Sequence, residues 1–243
     1  MTDTEKSPAN SQHKLESNSS DDETKNEGED EPYTGAADYW KNISPDVNGM
    51  LGGLTCISAP DVNESRKFIA DLKLRHGLKG FRALDCGCGI GRVTKHVLLP
   101  AFETVDMIDV TREFLDRANE YLGSKLSDRI GAKYCCGLQS FSPEPTHYDV
   151  IWCQWVLGCL TENDLISFLQ RCQKGLASGG LIVVKENITV KTDLDWDEVD
   201  HSWTRSRSRI LDIFQRAGLA VVKEKKQMKF PKELYEVRMF ALR

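Results

Sequence analysis

The chain has no apolar run long enough to cross a bilayer, and its start carries no apolar stretch of the kind a secretory signal needs. Neither a membrane span nor a signal peptide is therefore expected. It also lacks Cys-x2-Cys pairs: its eight cysteines are scattered, so no structural metal is expected. Cys86, Cys135, Cys136, Cys153 and Cys172 fall in strand-like or helix-face contexts, where small buried thiols are common, as in a reduced intracellular protein. There is no internal repeat, and no basic tract long enough to suggest nucleic acid. Apolar residues are missing from the first 31 positions apart from Met1, Ala9 and Leu15. That stretch holds ten acids against Lys6, Lys14 and Lys25, a charge of −7 in a chain whose total is −5, so the rest is +2. Too little apolar surface is present there to offset the entropy of ordering, and residues 1–32 read as a disordered acidic tail.

What the chain does have is centred on residues 82–92, RALDCGCGIGR. A short apolar run ending in Asp85 meets glycines at 87, 89 and 91, and a helix-like stretch follows over 93–99. Such a strand–turn–helix suits a ligand that approaches bare backbone, since glycine tolerates positive φ. Eighteen residues beyond Gly91, the apolar run 104–109 ends in Asp109, the spacing at which a second strand offers a carboxylate to a ribose diol. A glycine-rich turn that binds nothing, or one for a nicotinamide or flavin, gives a similar outline. A dinucleotide fingerprint is G-x-G-x-x-G, however, whereas this one is G-x-G-x-G led by Asp85. That pattern resembles motif I of S-adenosylmethionine-dependent methyltransferases.

Residues 33–80 precede the first strand and read as a helical extension. Asp61, followed three residues later by Glu64, has the form of a capping box opening a helix whose apolar face holds Phe68, Ile69 and Leu72, closed by Gly77 and Gly80. Five β/α units follow, with strands at 82–86, 104–110, 132–136, 148–153 and 181–184. Thr111 and Thr161 are expected to cap helices, Gly123 to end the first and Gly179-Gly180 the second. Residues 188–203 read as polar and irregular, followed by a helix around Ile210 to Ala217 and a strand pair at 219–224 and 235–242. The expected fold is α/β and Rossmann-like: a seven-stranded, mostly parallel sheet with a terminal antiparallel hairpin, in a domain spanning 81–243. In that layout ligands sit beyond the carboxyl ends of the strands. An acidic run at 193–200, by default a solvated loop, lies on that edge with Trp155, Trp196 and Trp203 near it, which suits a cationic or amine substrate.

From about Tyr33 to Arg243 the chain is similar to the protein α-N-terminal methyltransferases, class I enzymes that methylate the free amino group of proteins starting X-Pro-Lys or X-Pro-Arg after Met removal. The stretches that carry the resemblance are Tyr39-Trp40-Lys41, GMLGG at 49–53, the glycine turn, CCGLQ at 135–139, YDVIW at 148–152, Gln154-Trp155-Val156, Asn187, Val199-Asp200 and FALR at 240–243. The resemblance implies S-adenosyl-L-methionine as cofactor, held by Gly87, Arg92, Asp109, Val110, Thr111, Leu138, Gln139 and Gln154, with Arg92 on its carboxylate. It implies a peptide channel of Trp40, Leu51, Gly52, Trp155, Asp197 and Tyr235. Asn187 would hold the first substrate residue, Trp155 would pack on its proline, and Asp197 would meet the Lys or Arg at position three. Asp200 would be the general base, with no metal needed. Where the family usually has a histidine, this chain has Cys159; Asp200 then acts alone, or His201 beside it substitutes, or turnover is weaker. Protein N-termini are the implied partners, with neither nucleic acid nor membrane, and nucleus and cytoplasm the implied location. Two other readings stay open from the residues: methylation of a small amine, and a cofactor-holding subunit without catalysis.

Overall fold

The computed structural model describes residues 31–243, so the acidic tail lies outside the described residues but for its last two positions. Helices α1 (Glu31–Lys41), α2 (Val47–Met50) and α3 (Ser58–His76) come first. Strand β1 (Arg82–Cys86) opens the sheet, and β2 (Thr104–Asp109), α4 (Arg112–Leu122), the short α5 (Ser124–Ser127) and β3 (Ile130–Cys135) follow. Then come β4 (Tyr148–Gln154), α6 (Glu162–Gly175), β5 (Leu176–Thr189), β6 (Leu194–Asp197) and β7 (Ser202–Ser206). Helix α7 (Arg207–Arg216), β8 (Val221–Lys226) and β9 (Glu236–Leu242) complete the chain.

The seven expected strands run in the order β3-β2-β1-β4-β5-β9-β8, with β1 to β5 parallel and β9 antiparallel between β5 and β8. Central strands buried on both faces read as unbroken apolar runs, and β4 is buried at every position. Successive residues feed opposite cores. Leu84 and Cys86 pack with Phe168 of α6 and Phe214 of α7, whereas Ala83 packs with Phe68 of α3 and Leu115 of α4.

Several local expectations differ from the structure. Residues 188–203 are not irregular. β5 runs on to Thr189, where it pairs with β7, and β7 pairs with β6 in a hairpin standing above the carboxyl end of β4. The alternation Leu194-Asp195-Trp196-Asp197 was hidden by its acids. Trp196 opposes Trp203 across the hairpin with ring centroids 4.3 Å apart, a pair that holds the two strands together. Helix α3 starts at Ser58, so Asp61 is no N-cap but lies inside the helix with a fully buried side chain. Gly77, at φ +67°, does end α3 in the left-handed conformation glycine adopts without strain. Helix α6 stops at Gly175 rather than at Gly179-Gly180, because β5 begins at Leu176 and pairs at once with Tyr148. Thr161 caps α6 through its hydroxyl; Thr111 occupies the N-cap of α4 without a side-chain capping bond. The helical stretch after β1 is wound as a π-turn over Thr94–Leu98. All eight cysteines are free thiols, and Cys135 and Cys136, on the sheet's edge, are only half-buried. Among the described residues no helix is long and apolar enough to cross a membrane.

Candidate active site

At the end of β1 the backbone N–H groups of Gly87 and Cys88 both donate to the carbonyl of Ile108, at 2.9 and 3.0 Å, which folds the turn back over β2. Gly87 and Gly89 have φ of +66° and +54°. A Cβ at Gly87 would also strike the branched side chain of Val156, so that position needs glycine for space as well as for conformation; at Gly89 only the mobile end of Met50 stands in the way and conformation decides. Asp109 ends β2 and accepts from Gly89 N at 2.8 Å and Thr111 N at 2.9 Å. Burial raises its pKa, and those backbone bonds partly offset the rise. Behind the turn, Asp85 is buried and pushed up to about 7 by desolvation, with the Thr94 hydroxyl donating to it.

The turn forms one wall of a cavity of about 470 Å³ at the carboxyl edge of the sheet, large enough for a nucleoside-sized ligand. Gly87, Arg92, Asp109, Val110, Leu138, Gln139 and Gln154 line one end of it. Arg171 fixes the loop after β3 there by donating to the carbonyls of Leu138 and Gln139, each at 2.9 Å. Trp40 from α1, Leu51 and Gly52 from the loop after α2, and Trp155, Asn187, Asp200 and Tyr235 also line the cavity. Thr111 and Asp197 do not. Thr111 is buried and acts on the site through Asp109, to which its N–H donates and beside which its hydroxyl lies. The Asp197 carboxylate is turned into the hairpin loop, where it accepts from Val199 N at 2.8 Å. Trp203 lines the cavity with Trp155, while Trp196 stands behind Trp203 and does not reach it.

The reactive end is built on strained and unpartnered groups. Trp155 has φ +54°, uncommon for a bulky residue, and its N–H is held by the Lys185 carbonyl at 3.0 Å. Its indole N–H is buried without a partner. So is Oδ1 of Asp200. Desolvation raises the Asp200 pKa, Ser202 counters part of that, and the neighbouring Asp197 adds to it. Cys159, in the cavity wall, has its thiol pushed up to about 12 by burial and by Glu186 and Asp200. It therefore stays a neutral thiol and cannot relay protons near neutral pH. His201 is absent from the cavity lining: its ring stands edge-on to Trp196 at 5.9 Å and lies against Gly35 of α1.

Two groups had no signal in the sequence. Glu186 is buried and accepts from Val156 N and Leu157 N, each at 2.9 Å, thereby pinning the loop that presents Trp155 and Cys159. Desolvation pushes it up to about 7. Asp61, which had looked like a helix cap, forms an ion pair with Arg92 at 2.8 Å and accepts from Gln154 Nε2 at 2.8 Å and from Lys185. The Asp61–Arg92 contact is close but not aligned as a hydrogen bond, so Arg92 Nη1 is buried without an acceptor. A buried guanidinium on the cavity wall, beside a glycine cradle and an acid at the end of β2, fits a nucleoside that carries a carboxylate. Those features match S-adenosylmethionine.

Comparison with known proteins agrees. The family model described as "AdoMet dependent proline di-methyltransferase" matches residues 28–243. N-terminal Xaa-Pro-Lys N-methyltransferase 1 of Danio rerio is 49% identical over 213 residues, covering 87% of this chain and 95% of that protein. Alpha N-terminal protein methyltransferase 1 of Caenorhabditis elegans is 48% identical over 217 residues, covering 89% and 92%. A solved SAM-dependent methyltransferase of Leishmania major superposes with a TM-score of 0.82 at 34% identity, covering 87% of this chain and 83% of that one. The chain accordingly belongs to the AdoMet-dependent proline dimethyltransferase family and is an S-adenosylmethionine-dependent methyltransferase.

Proposed function

We propose that this protein methylates the free α-amino group of proteins whose processed N-terminus begins X-Pro-Lys or X-Pro-Arg. The reading is supported by the relatives, which are named for that chemistry. The observation that carries it in this chain is the water-shielded, unpartnered Oδ1 of Asp200, in the same cavity as Arg92 and the glycine turn. Bound S-adenosylmethionine supplies an electrophilic methyl group on a sulfonium. Gly87, Leu138, Gln139 and Gln154 would seat it, Asp109 would take its ribose and Arg92 its carboxylate.

The other residues prepare the amine. An α-amine has a pKa near 8, about two units below that of lysine, so its neutral form is accessible near pH 7. Asp200 accepts the proton that must leave before nitrogen can act as a nucleophile. Its raised pKa brings it closer to the amine's and makes it a better-matched base than an exposed aspartate. Asn187, on the cavity wall, would hold the first residue, and Trp155 would lie on the proline. Asp197 at the end of β6 would meet the basic third residue after releasing the hairpin loop. Cys159 stays protonated and His201 faces away, so Asp200 acts as the lone base. Trp40, Leu51 and Tyr235 line the same cavity, where they would exclude water and favour alignment of the reacting atoms.

The test is transfer of labelled methyl groups to peptides beginning Ser-Pro-Lys, compared with the same peptides acetylated at the N-terminus. Label is expected only on the free peptides. Equal label on both would assign the methyl to lysine side chains and overturn the proposal.

A further inference from the structure

A charge cluster without an obvious part in the chemistry lies beneath the Arg92 end of the cavity. Asp61 and Lys185 are fully buried and Arg92 nearly so. Lys185 Nζ donates to Asp61 Oδ1, to Ser65 Oγ at 2.9 Å and to Gln227 Oε1 at 2.7 Å. The Asp61 carbonyl lies at 3.3 Å as a fourth acceptor, and an environment made only of acceptors suits an ammonium with its three N–H donors. The same Asp61 carboxylate faces Arg92 Nη1 through its other oxygen, Oδ2, at 2.8 Å. Glu64, the other carboxylate that acts on Lys185, is engaged by Lys67 and Lys225, each at 2.9 Å. Two buried cations thus share the Asp61 carboxylate, which leaves one positive charge in excess within that trio; Asp85, pushed up to about 7, is a further acid acting on Arg92. A buried surplus charge is costly until an anion meets it. Of the three side chains only Arg92 reaches the cavity.

We propose that Lys185 is a positioning residue for the cofactor's amino-acid end: by occupying Asp61, it keeps Arg92 from being neutralised and so reserves that guanidinium for the ligand's carboxylate. This rests on the reading that Arg92 meets that carboxylate. Without the Lys185 charge, Asp61 and Arg92 form a neutral pair and the cavity loses its pull on a carboxylate. The surplus charge also acts as a selectivity device, favouring nucleosides that keep the amino-acid tail over those trimmed of it. Asp61 sits on α3, so packing of the helical extension against the sheet sets the charge of the cofactor pocket.

The test is calorimetric binding of two probes to the full chain: S-adenosylhomocysteine, which has the carboxylate, and 5′-methylthioadenosine, which lacks it. Wild type should bind the first more tightly. Lys185→Gln keeps an amide in place of the ammonium and should weaken S-adenosylhomocysteine about tenfold or more while moving methylthioadenosine less than about threefold. That is the order expected for one unit charge lost about 10 Å from the ligand, beyond Asp61 and Arg92, at an effective dielectric near 20. Lys185→Arg should keep the wild-type ratio. Asp61→Asn/Lys185→Gln restores a single surplus positive charge and should return the ratio to within about threefold of wild type, a recovery that simple damage to packing does not give. Should the single variant fail to fold, the double variant decides by itself, and loss of discrimination there overturns the proposal. Unchanged discrimination in Lys185→Gln also overturns it and leaves the Arg92 reading intact. A wild type that does not discriminate between the probes would refute the Arg92 reading instead.

Discussion

Replacing Asp200 by asparagine removes the proposed base with almost no change of shape. The carboxylate is half-buried, one of its oxygens has no partner, and burial raises its pKa, so its loss should leave the melting temperature unchanged or slightly higher. The kinetic effect has two parts. An amine of pKa about 8 is roughly one-tenth neutral at pH 7, so failure to remove its proton costs about tenfold there and almost nothing above pH 9. The rest is loss of a group that orients the lone pair as the proton leaves, and a positioned base contributes about 10²–10⁴-fold altogether. Turnover of Asp200→Asn with a Ser-Pro-Lys peptide should therefore fall at least about 10²-fold at pH 7 and regain about tenfold by pH 9. S-adenosylhomocysteine affinity, measured by calorimetry, should hold within about threefold, since the Arg92 end of the cavity is untouched. A loss under about threefold at pH 7, or a large loss with no recovery at high pH, would refute Asp200 as the base.

Cys159→Ser should leave the pH–rate profile between pH 6 and 9 unchanged, because the thiol, pushed up to about 12, does not ionise in that range; a displaced limb would make Cys159 a participant. Asp109→Asn should weaken S-adenosylhomocysteine about tenfold or more by calorimetry, since one carboxylate orders the glycine turn and, on the proposed reading, would also take the ribose. Glu186, pushed from 4.5 up to about 7, contributes stability that is complete below its unfolded pKa and is lost as pH rises through about 7. Glu186→Gln should flatten that part of the curve of melting temperature against pH. A pH dependence equal to wild type would show that Glu186 is ionised throughout.

The parts of this molecule that could be read from its residues are those governed by local, repetitive physics. Strands β1, β2 and β4 are buried on both faces and appear as apolar runs; Gly87 and Gly89 are imposed by backbone conformation, Gly87 also by space; Asp109 lies at a fixed distance along a β/α unit. Features that depend on distant partners were not readable. Asp61 and Glu64 match a capping pattern, but Lys185 and Arg92, far along the chain, draw the Asp61 carboxylate into the core instead. Residues 188–203 looked polar because acids alternate with Leu194 and Trp196, and their pairing becomes visible only once Trp203 lies opposite. Glu186 stood within a Lys-Glu-Asn stretch that gives no hint of which side chain turns toward the loop after β4. Thr111 and Asp197, assigned by resemblance, lie outside the cavity lining but touch residues that form it: Thr111 bonds Asp109, and the exposed Asp197 accepts from Asp200 N at 3.4 Å.

A crystal structure of the full chain with S-adenosylhomocysteine and a Ser-Pro-Lys peptide measures the central claim directly. The peptide's α-nitrogen should lie about 2.6–3.2 Å from the carboxylate of Asp200, with the guanidinium of Arg92 on the carboxylate of S-adenosylhomocysteine. An α-nitrogen bound elsewhere, with Asp200 facing solvent or a lysine side chain in its place, would contradict the account.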